Sequence, residues 1–382
     1  MRRYASLLCA VLFFIICIHS LAHALEPVPD LSAIAYVLYD GDYDYVILGK
    51  NAEQPRSIAS LTKLMTLLCA VELVEAGEIN LDDVITASAR AESRDGTQIK
   101  LRAGDRFTLE ELLYATALVS ANDAAVAVAE YVAGSEAQFC RLMNEKAKAL
   151  GLTNTNYTDC TGLISIFSNN YSTALDQAKL LRAGLEHDLF RKILGTQEYY
   201  LKAQDRKIVN THPLLELPGV EGGKTGATTP AGHTLATSVQ VDGRRLISVI
   251  LGARSREVRN EEAKILHEWA EKNLVGLISK EQVLTPVLVP DGVLHEIQGV
   301  LASDFSLVAV SEKDLEFDTK VELLPNLRAP IDRGDKVGEL VILRDKEEFL
   351  RLDIVAHQST GLASWLRRIF NKAIHFFKGL GR

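Results

Sequence analysis

The spacing of apolar residues changes several times along the chain, and each change predicts a different element. Residues 60–76 are mostly apolar and precede Gly77, which predicts a buried helix that ends at a glycine. Thr108-Leu-Glu-Glu111 has the spacing of a capping box and predicts a helix through Leu118. A third helix is expected from Asn122 or Asp123 to about Val132, so residues 120–122 lie in the joint between two helices.

Alternating runs predict antiparallel strands before and after these helices. Residues 33–48 form two strand-like runs around Asp40-Gly41, which predicts a hairpin. Residues 234–241 alternate, Asp242-Gly243 makes a two-residue turn, and residues 245–251 return as an apolar run. A helix is then expected from Arg259 to about Asn273.

The pattern of apolar residues changes in the last third of the chain. Residues 283–355 contain short valine- and leucine-rich runs separated by turn residues, which predicts a small all-β domain. Residues 361–382 carry apolar residues at steps of three and four, five basic residues and no acidic one. Such a basic amphipathic helix is typical of a membrane-surface anchor. The alternative is a helix docked on the protein's own core.

The N-terminus has the pattern of a secretory signal. Arg2 and Arg3 precede an apolar run, and Ala22-His23-Ala24 follows it, so cleavage is expected after Ala24. The alternative is an uncleaved anchor helix, for which the apolar run is short. We therefore expect an exported protein that works at the outer face of the cytoplasmic membrane.

Composition narrows the function further. The 382 residues are enough for two or three domains, and the net charge of −8 argues against a general nucleic-acid binder. Cys69, Cys140 and Cys160 remain after the signal, without the spacing of a disulfide scaffold or a zinc site. The sequence has no His-Glu-x-x-His motif. We expect neither a metal nor an organic cofactor.

The first candidate for catalysis is Ser60-Leu-Thr-Lys63, at the start of the first predicted helix. A spacing of three places the hydroxyl and the amine side by side on one helix face. A serine becomes nucleophilic when a base takes its proton, and a lysine amine is such a base if it is neutral. Burial or a nearby cation is needed to keep it neutral.

The glycine-rich stretch around Lys224 raises a second possibility. Gly223-Lys224-Thr225 could belong to a phosphate-binding loop, but that loop needs a glycine where this chain has Pro218, and a helix afterwards. An antiparallel hairpin follows instead, which argues against nucleotide binding. Taken alone, the stretch would be a turn, and Ser120-x-Asn122 would be an ordinary helix cap.

The order of these three elements changes the interpretation. Ser60-x-x-Lys63, Ser120-x-Asn122 and Lys224-Thr225-Gly226 together resemble the motif set of penicillin-binding proteins and class A β-lactamases. Four longer stretches are similar to serine D-Ala-D-Ala carboxypeptidases: residues 57–66, 120–129, 154–157 and 329–338. The whole chain resembles the low-molecular-weight penicillin-binding proteins of the penicillin-binding protein 5 type.

The resemblance implies an α+β fold with a transpeptidase-like catalytic domain. An antiparallel sheet flanked by helices, with a helical subdomain, would be followed by a small all-β domain and a C-terminal amphipathic helix. The implied boundaries are a signal peptide at 1–24, a catalytic domain at 25–277, a β-domain at 278–357 and an anchor at 361–382.

The resemblance also implies roles for the motif residues. Ser60 would be the acylated nucleophile, Lys63 its base, and Ser120 a proton relay to the leaving amine. Asn122 would hydrogen-bond Lys63 and the substrate amide, and Lys224 would supply positive charge.

The remaining site residues would hold the substrate. Thr225 and Arg259 would bind its terminal carboxylate, and Gly226 would let the peptide approach the strand edge. The backbone N–H groups of Ser60 and Ala227 would form the oxyanion hole. The family commonly has His, Tyr or Phe at the position of Ala227, which leaves substrate fit and rate open.

The implied activity is removal of the terminal D-Ala from peptidoglycan stem pentapeptides, with β-lactam antibiotics as acylating inhibitors. Two alternatives remain at this point. A class A β-lactamase would need Glu-x-x-Leu-Asn, and the nearest run, Glu186-His-Asp-Leu-Phe190, lacks the asparagine. A catalytically weak peptidoglycan-binding protein of the same fold would require the Ala227 loop to disable the site.

Overall fold

The computed structural model of the chain describes residues 13–14, 25–163 and 170–371. The chain divides into two compact units: Val28–Glu271, and a second one that combines Lys272–Arg382 with the residues up to Pro27. The predicted signal peptide lies outside the described residues, except for the short strand β1 (Phe13–Phe14). Of the predicted anchor, residues 372–382 also lie outside them.

The Val28–Glu271 unit is built on a five-stranded antiparallel sheet with the order β10-β11-β12-β2-β3. The strands of the unit are β2 (Ala35–Asp40), β3 (Tyr45–Lys50), β4 (Arg56–Ser57), β5 (Val84–Thr86), β6 (Arg106–Thr108), β7 (Tyr171–Ser172), β8 (Glu198–Leu201), β9 (Arg206–Val209), β10 (Val220–Thr228), β11 (Gly232–Val241) and β12 (Arg244–Ala253). Both predicted hairpins are confirmed. Asp242 and Gly243 take the positive φ values, 45° and 78°, that a two-residue hairpin turn requires.

Helices make up the rest of this unit. They are α1 (Thr62–Glu75), α2 (Ala89–Glu92), α3 (Leu109–Leu118), α4 (Asn122–Ala133), α5 (Glu136–Ala149), α6 (Ala174–Leu185), α7 (Asp188–Gly195) and α8 (Arg256–Lys272), with 3-10 turns at Ala59–Leu61 and Lys202–Gln204. Residues 62–71 of α1 are all buried, so this helix forms the centre of the apolar core. The capping box of Thr108 and Glu111 opens α3 as predicted.

One predicted boundary is wrong. The helix expected from Arg259 begins three residues earlier, at Arg256. The Ser255 hydroxyl accepts a hydrogen bond from the Val258 N–H at 3.2 Å, which is the usual role of a serine at a helix N-cap.

The second unit is mainly antiparallel β-structure, as the sequence predicts. Its strands are β13 (Leu274–Ile278), β14 (Thr285–Leu288), β15 (Glu296–Leu301), β16 (Phe305–Val308), β17 (Asp318–Leu323), β18 (Lys336–Arg344) and β19 (Glu347–Ala356), with a 3-10 turn at Glu312–Leu315. Six strands form one sheet in the order β1-β17-β18-β19-β15-β14, and β13 pairs with β16. Residues 365–371 are helical.

Candidate active site

Ser60 lies in the 3-10 turn that leads into α1, and Lys63 follows one turn later. The Nζ atom of Lys63 is 3.2 Å from the Oγ atom of Ser60. Ala59, directly before the serine, has a φ of 49°, a left-handed conformation that an alanine adopts only under strain. A Cβ added at Gly162 would lie 1.9 Å from the Ala59 carbonyl oxygen, so close backbone packing holds this conformation.

Lys63 is fully buried, and its amine is surrounded by neutral acceptors. Nζ donates to the Asn122 side-chain oxygen at 2.6 Å and to the Thr161 carbonyl at 2.7 Å. Burial lowers the pKa of Lys63 to about 8, and the Arg94 guanidinium acts in the same direction. Cys160, Asp159 and Asp123 oppose this shift. A substantial fraction of the amine is therefore neutral near physiological pH, as a general base must be.

Ser120 and Asn122 lie in the joint between α3 and α4, as predicted. Ser120 has a φ of 60°, and its Oγ atom is buried without a hydrogen-bond partner among the described residues. The hydroxyl is thus available for a proton relay, although it makes no hydrogen bond to either lysine here. Asn122 donates its side-chain N–H to the Asp95 carbonyl at 2.7 Å, which directs its oxygen towards Lys63.

Lys224, Thr225, Gly226 and Ala227 lie on β10, the edge strand of the five-stranded sheet. Lys224 is 1% exposed, and its Nζ donates to the Thr225 carbonyl at 3.2 Å. Burial lowers the pKa of Lys224 well below its usual value, and the cations of Lys63 and Arg259 lower it further. A charged Lys63 therefore disfavours the charge on Lys224.

Gly226 brings the edge strand against the candidate nucleophile. A Cβ added at this position would lie 2.8 Å from the backbone nitrogen of Ser60 and 2.6 Å from the Thr234 hydroxyl. Only glycine allows this approach without displacing backbone. Ala227, the next residue, is exposed and pairs with His233 across the sheet.

Arg259 on α8 is buried rather than solvated, with 4% of its surface exposed. Its guanidinium donates to the Asn260 side-chain oxygen at 2.7 and 3.0 Å and to the Thr234 carbonyl at 3.5 Å. Thr234 is the cross-strand partner of Gly226. Burial lowers the pKa of Arg259 to about 10, with Arg256 contributing. The Thr225 hydroxyl lies 3.5 Å from that of Thr211.

The structure joins part of the predicted site directly. Hydrogen bonds connect Ser60, Lys63 and Asn122, and close packing brings Gly226 to Ser60. Sequence reasoning missed the Thr161 carbonyl that accepts from Lys63. Its position is set by Asp159, whose carboxylate accepts from the Thr161 and Gly162 N–H groups at 2.7 Å each. An aspartate two residues before such a turn is a readable signal.

The run that could have suggested a β-lactamase lies elsewhere in this unit. Glu186 is exposed and pairs with Arg245 at 3.5 Å, so its carboxylate serves a surface ion pair.

The fold and the site together define a serine hydrolase with a lysine beside its candidate nucleophile, of the class that cleaves amides by acyl transfer.

Comparison with known proteins gives the family. Residues 22–255 match the D-alanyl-D-alanine carboxypeptidases, and residues 273–360 match the C-terminal domain of penicillin-binding protein 5. The D-alanyl-D-alanine carboxypeptidase DacF of Bacillus subtilis (strain 168) is 33% identical over 342 residues, 87% of each chain. DacC of Escherichia coli (strain K12) is 34% identical over 324 residues, 82% of this chain and 80% of its own.

A solved structure agrees with this assignment. Penicillin-binding protein 5 from Haemophilus influenzae is 27% identical, with a TM-score of 0.68 over 88% of this chain and 99% of its own. The chain belongs to the D-alanyl-D-alanine carboxypeptidase family, and it is a serine peptidase of peptidoglycan metabolism. The resemblance, the fold class and the enzyme class inferred from the sequence are thereby confirmed.

Proposed function

We propose that this enzyme removes the terminal D-alanine from peptidoglycan stem pentapeptides through an acyl-enzyme on Ser60. The observation that carries the proposal is the Lys63 amine, 3.2 Å from the Ser60 hydroxyl in a fully buried setting. Its pKa of about 8 makes it a base able to accept the hydroxyl proton near neutral pH.

The reaction proceeds in two steps with Ser60 as the carrier. Ser60 Oγ bonds to the carbonyl carbon of the penultimate D-alanine while its proton passes to Lys63 Nζ. The carbon–nitrogen bond then breaks, and Ser120 relays the proton held by Lys63 to the leaving amine of the terminal D-alanine, which leaves Lys63 neutral again. Water next attacks the ester carbonyl and gives a proton to Lys63 Nζ. The bond between that carbon and Ser60 Oγ then breaks, Oγ takes the proton back from Lys63, and the shortened peptide leaves with a free carboxylate.

Electrostatics at the strand edge support the charged intermediate. The backbone N–H groups of Ser60 and Ala227 form the oxyanion hole, since Gly226 allows β10 to pass directly against Ser60. Lys224, Thr225 and Arg259 receive the substrate carboxylate. Burial disfavours the charged forms of Lys224 and Arg259, and a substrate carboxylate beside them would favour those forms again, so the pair suits an anionic peptide terminus.

β-Lactam antibiotics are proposed to acylate the same serine. Penicillin-binding protein D2 from Listeria monocytogenes was solved in an ampicillin-bound form. It is 27% identical to this chain, with a TM-score of 0.59 over 64% of this chain and 99% of its own. A β-lactam offers the same attacking serine a strained amide and would leave a slowly hydrolysed ester.

The test uses the soluble form, residues 25–360, and its Ser60→Ala variant. Each is incubated with a fluorescent penicillin, and free D-alanine is assayed after addition of a stem pentapeptide. Ser60-dependent labelling together with D-alanine release supports the proposal. Peptidoglycan binding with neither labelling nor release would favour the weak wall-binding protein instead, and rapid penicillin turnover would favour a β-lactamase.

We also propose the layout of the exported protein: a signal peptide at 1–24, a catalytic domain at 25–277, a β-domain at 278–357 and an anchor at 361–382. Within the described residues, no helix is long and apolar enough to cross a membrane. The 365–371 helix instead exposes four large apolar side chains, each 59–71% exposed: Trp365, Leu366, Ile369 and Phe370. These side chains, with the basic residues of the tail, suit the surface of an anionic membrane.

The anchor is tested by deleting residues 361–382 and measuring sedimentation with membranes. Release into the soluble fraction is expected. A variant with Trp365, Ile369 and Phe370 changed to Ser keeps the length and charge of the tail and should also be released. Unchanged sedimentation of both variants would contradict the anchor.

A further inference from the structure

Glu136 is a buried carboxylate outside the proposed catalytic machinery. It is the first residue of α5 and is 4% exposed. One carboxylate oxygen accepts hydrogen bonds from the side chains of Arg90 and Arg94, and the other accepts from the Cys160 N–H and thiol at 3.4 Å each. Burying a carboxylate is costly unless its hydrogen-bond partners compensate, and here two arginines and Cys160 do so.

The first partner leads to Asn122. Arg94 directly precedes Asp95, whose carbonyl accepts the Asn122 side-chain N–H at 2.7 Å. The carbonyl of Thr97, two residues further on, accepts the Asn122 backbone N–H at 2.7 Å. The position of residues 94–97 therefore fixes where the Asn122 side-chain oxygen lies relative to Lys63 Nζ.

The second partner leads to Thr161. Cys160 is fully buried, and its backbone N–H and thiol both point to Glu136. The carbonyl of the next residue, Thr161, accepts from Lys63 Nζ at 2.7 Å. The Thr66 hydroxyl of α1 donates to the Cys160 carbonyl at 2.7 Å, which fixes the same turn from the other side.

We propose that Glu136 is a positioning residue for Lys63, because one carboxylate holds both segments that supply the acceptors of the Lys63 amine. The inference rests on the proposed function, in which that amine activates Ser60. Lys63 Nζ contacts the Asn122 oxygen, the Thr161 carbonyl and the Ser60 hydroxyl at the same time. A shift of either segment therefore moves the amine relative to the nucleophile.

Several ionisable groups face Lys63, so an effect of Glu136 on the pKa of Lys63 can be separated from an effect on the position of its amine. Arg94 approaches from the segment before Thr97, Asp123 from α4, Asp159 and Cys160 from the turn, and Lys224 from β10. Removing the Glu136 charge leaves Arg94 without its anion and disfavours a charged Lys63. Removing the Arg94 charge has the opposite effect.

The experiment measures acylation by a fluorescent penicillin as a function of pH, with the binding constant and the acylation rate constant resolved separately. For Glu136→Gln we expect up to about a 100-fold lower rate constant, because small misplacements of a catalytic group cost that much. The binding constant should be nearly unchanged, and the acid limb of the profile should move to lower pH.

Arg94→Gln and Arg90→Gln form a matched pair. Both arginines donate to the same oxygen of Glu136, but only Arg94 belongs to the segment that holds Asn122. Arg94→Gln should slow acylation by about tenfold, which corresponds to the loss of one such contact, and should move the acid limb to higher pH. Arg90 is 60% exposed, and Arg90→Gln should stay within about twofold of the wild-type rate.

Equal effects of the two arginine variants would overturn the inference, as would a wild-type rate and pH profile in Glu136→Gln. Amide hydrogen exchange gives an independent readout. Faster exchange at both Asn122 and Thr161 in Glu136→Gln supports the double connection, and a change at neither overturns it. If the wild type itself is not labelled by penicillin, the proposed function fails, and the exchange result still decides whether Glu136 holds both segments.

Discussion

Lys63 in the first unit and Arg351 in the second carry the same formal charge in opposite settings. Lys63 has no exposed surface, and its recorded partners among the described residues are a hydroxyl, an amide oxygen and a carbonyl. The Arg351 side chain is 40% exposed and contacts the carboxylates of Glu322, Glu339 and Glu348 at 2.7–2.9 Å.

The two settings move the pKa values in opposite directions. Burial lowers the pKa of Lys63 to about 8, whereas the hydrogen bonds that Arg351 donates to Glu348, Glu322 and Glu339 raise its pKa. A cation paired with carboxylates stays a cation. A lysine buried among neutral acceptors can act as a base. Keeping its amine buried lowers the free energy of unfolding at neutral pH.

The largest expected effect comes from making the buried charge permanent. In Lys63→Arg the guanidinium cannot lose its proton, so it cannot accept one from Ser60. The acylation rate constant with a fluorescent penicillin should fall by about 10²–10⁴-fold, the range for loss of a general base. Arg351→Lys, which also keeps a positive charge, serves as the control and should react like the wild type. An acylation rate constant of Lys63→Arg within a few-fold of wild type would show that Lys63 does not act as a base.

The second prediction concerns the strand that closes the site around Lys63. In Gly226→Ala the new Cβ would meet Ser60 N at 2.8 Å and the Thr234 hydroxyl at 2.6 Å, so β10 must move away from the nucleophile. Acylation should slow by about 100-fold. Gly276→Ala in β13 is the matched control, since no heavy atom lies within 4 Å of the added Cβ. Similar rates in both variants would show that the close approach is not needed.

The third prediction is a difference in stability against pH between the wild type and Lys63→Met. Between pH 8 and 10.5 the unfolded lysine holds a proton that the folded one has lost, so wild-type stability rises with pH in this window. Relative to Lys63→Met, the wild type should gain about 3 kcal/mol across it. Urea unfolding at a series of pH values measures this gain. If the free energy of unfolding changes with pH in the same way for the two proteins, burial does not lower the pKa of Lys63.

The smallest effect is expected at Arg351. In Arg351→Met the ion pairs with three glutamates disappear, but exposed pairs contribute little because water and salt screen them. The melting temperature should change by about 2 °C or less, and added salt should reduce even that difference. A loss of many degrees would show that this surface network stabilises the sheet far more than its exposure suggests.

The sequence could predict much of this fold because its signals are local. The capping box at Thr108, the Asp242-Gly243 turn and each single motif of the site depend on residues within a few positions of one another. Ser255 shows the limit of that approach: it caps a helix that begins at Arg256, three residues before the start that the sequence predicted.

The environment of Lys63 could not be predicted in the same way. Asp159 indicates the turn at Thr161, but no local signal indicates that the Thr161 carbonyl meets Lys63, which lies 98 residues away along the chain. Nothing in the sequence distinguishes Glu136 from other acidic residues. Its contacts with Cys160 and Arg94 arise only from the tertiary structure. The proposed base is recognisable from its motif, but the origin of its low pKa lies in tertiary packing.

The measurement that tests this account most directly is the pKa of Lys63 in the folded protein. Lysine labelled with ¹³C at Cε would be titrated by NMR, and the Lys63 signal would be assigned as the one missing from Lys63→Met. The account predicts a midpoint near 8, as burial dictates. A midpoint at the ordinary value of a solvated lysine, above 10, would contradict the claim that the fold makes Lys63 a base.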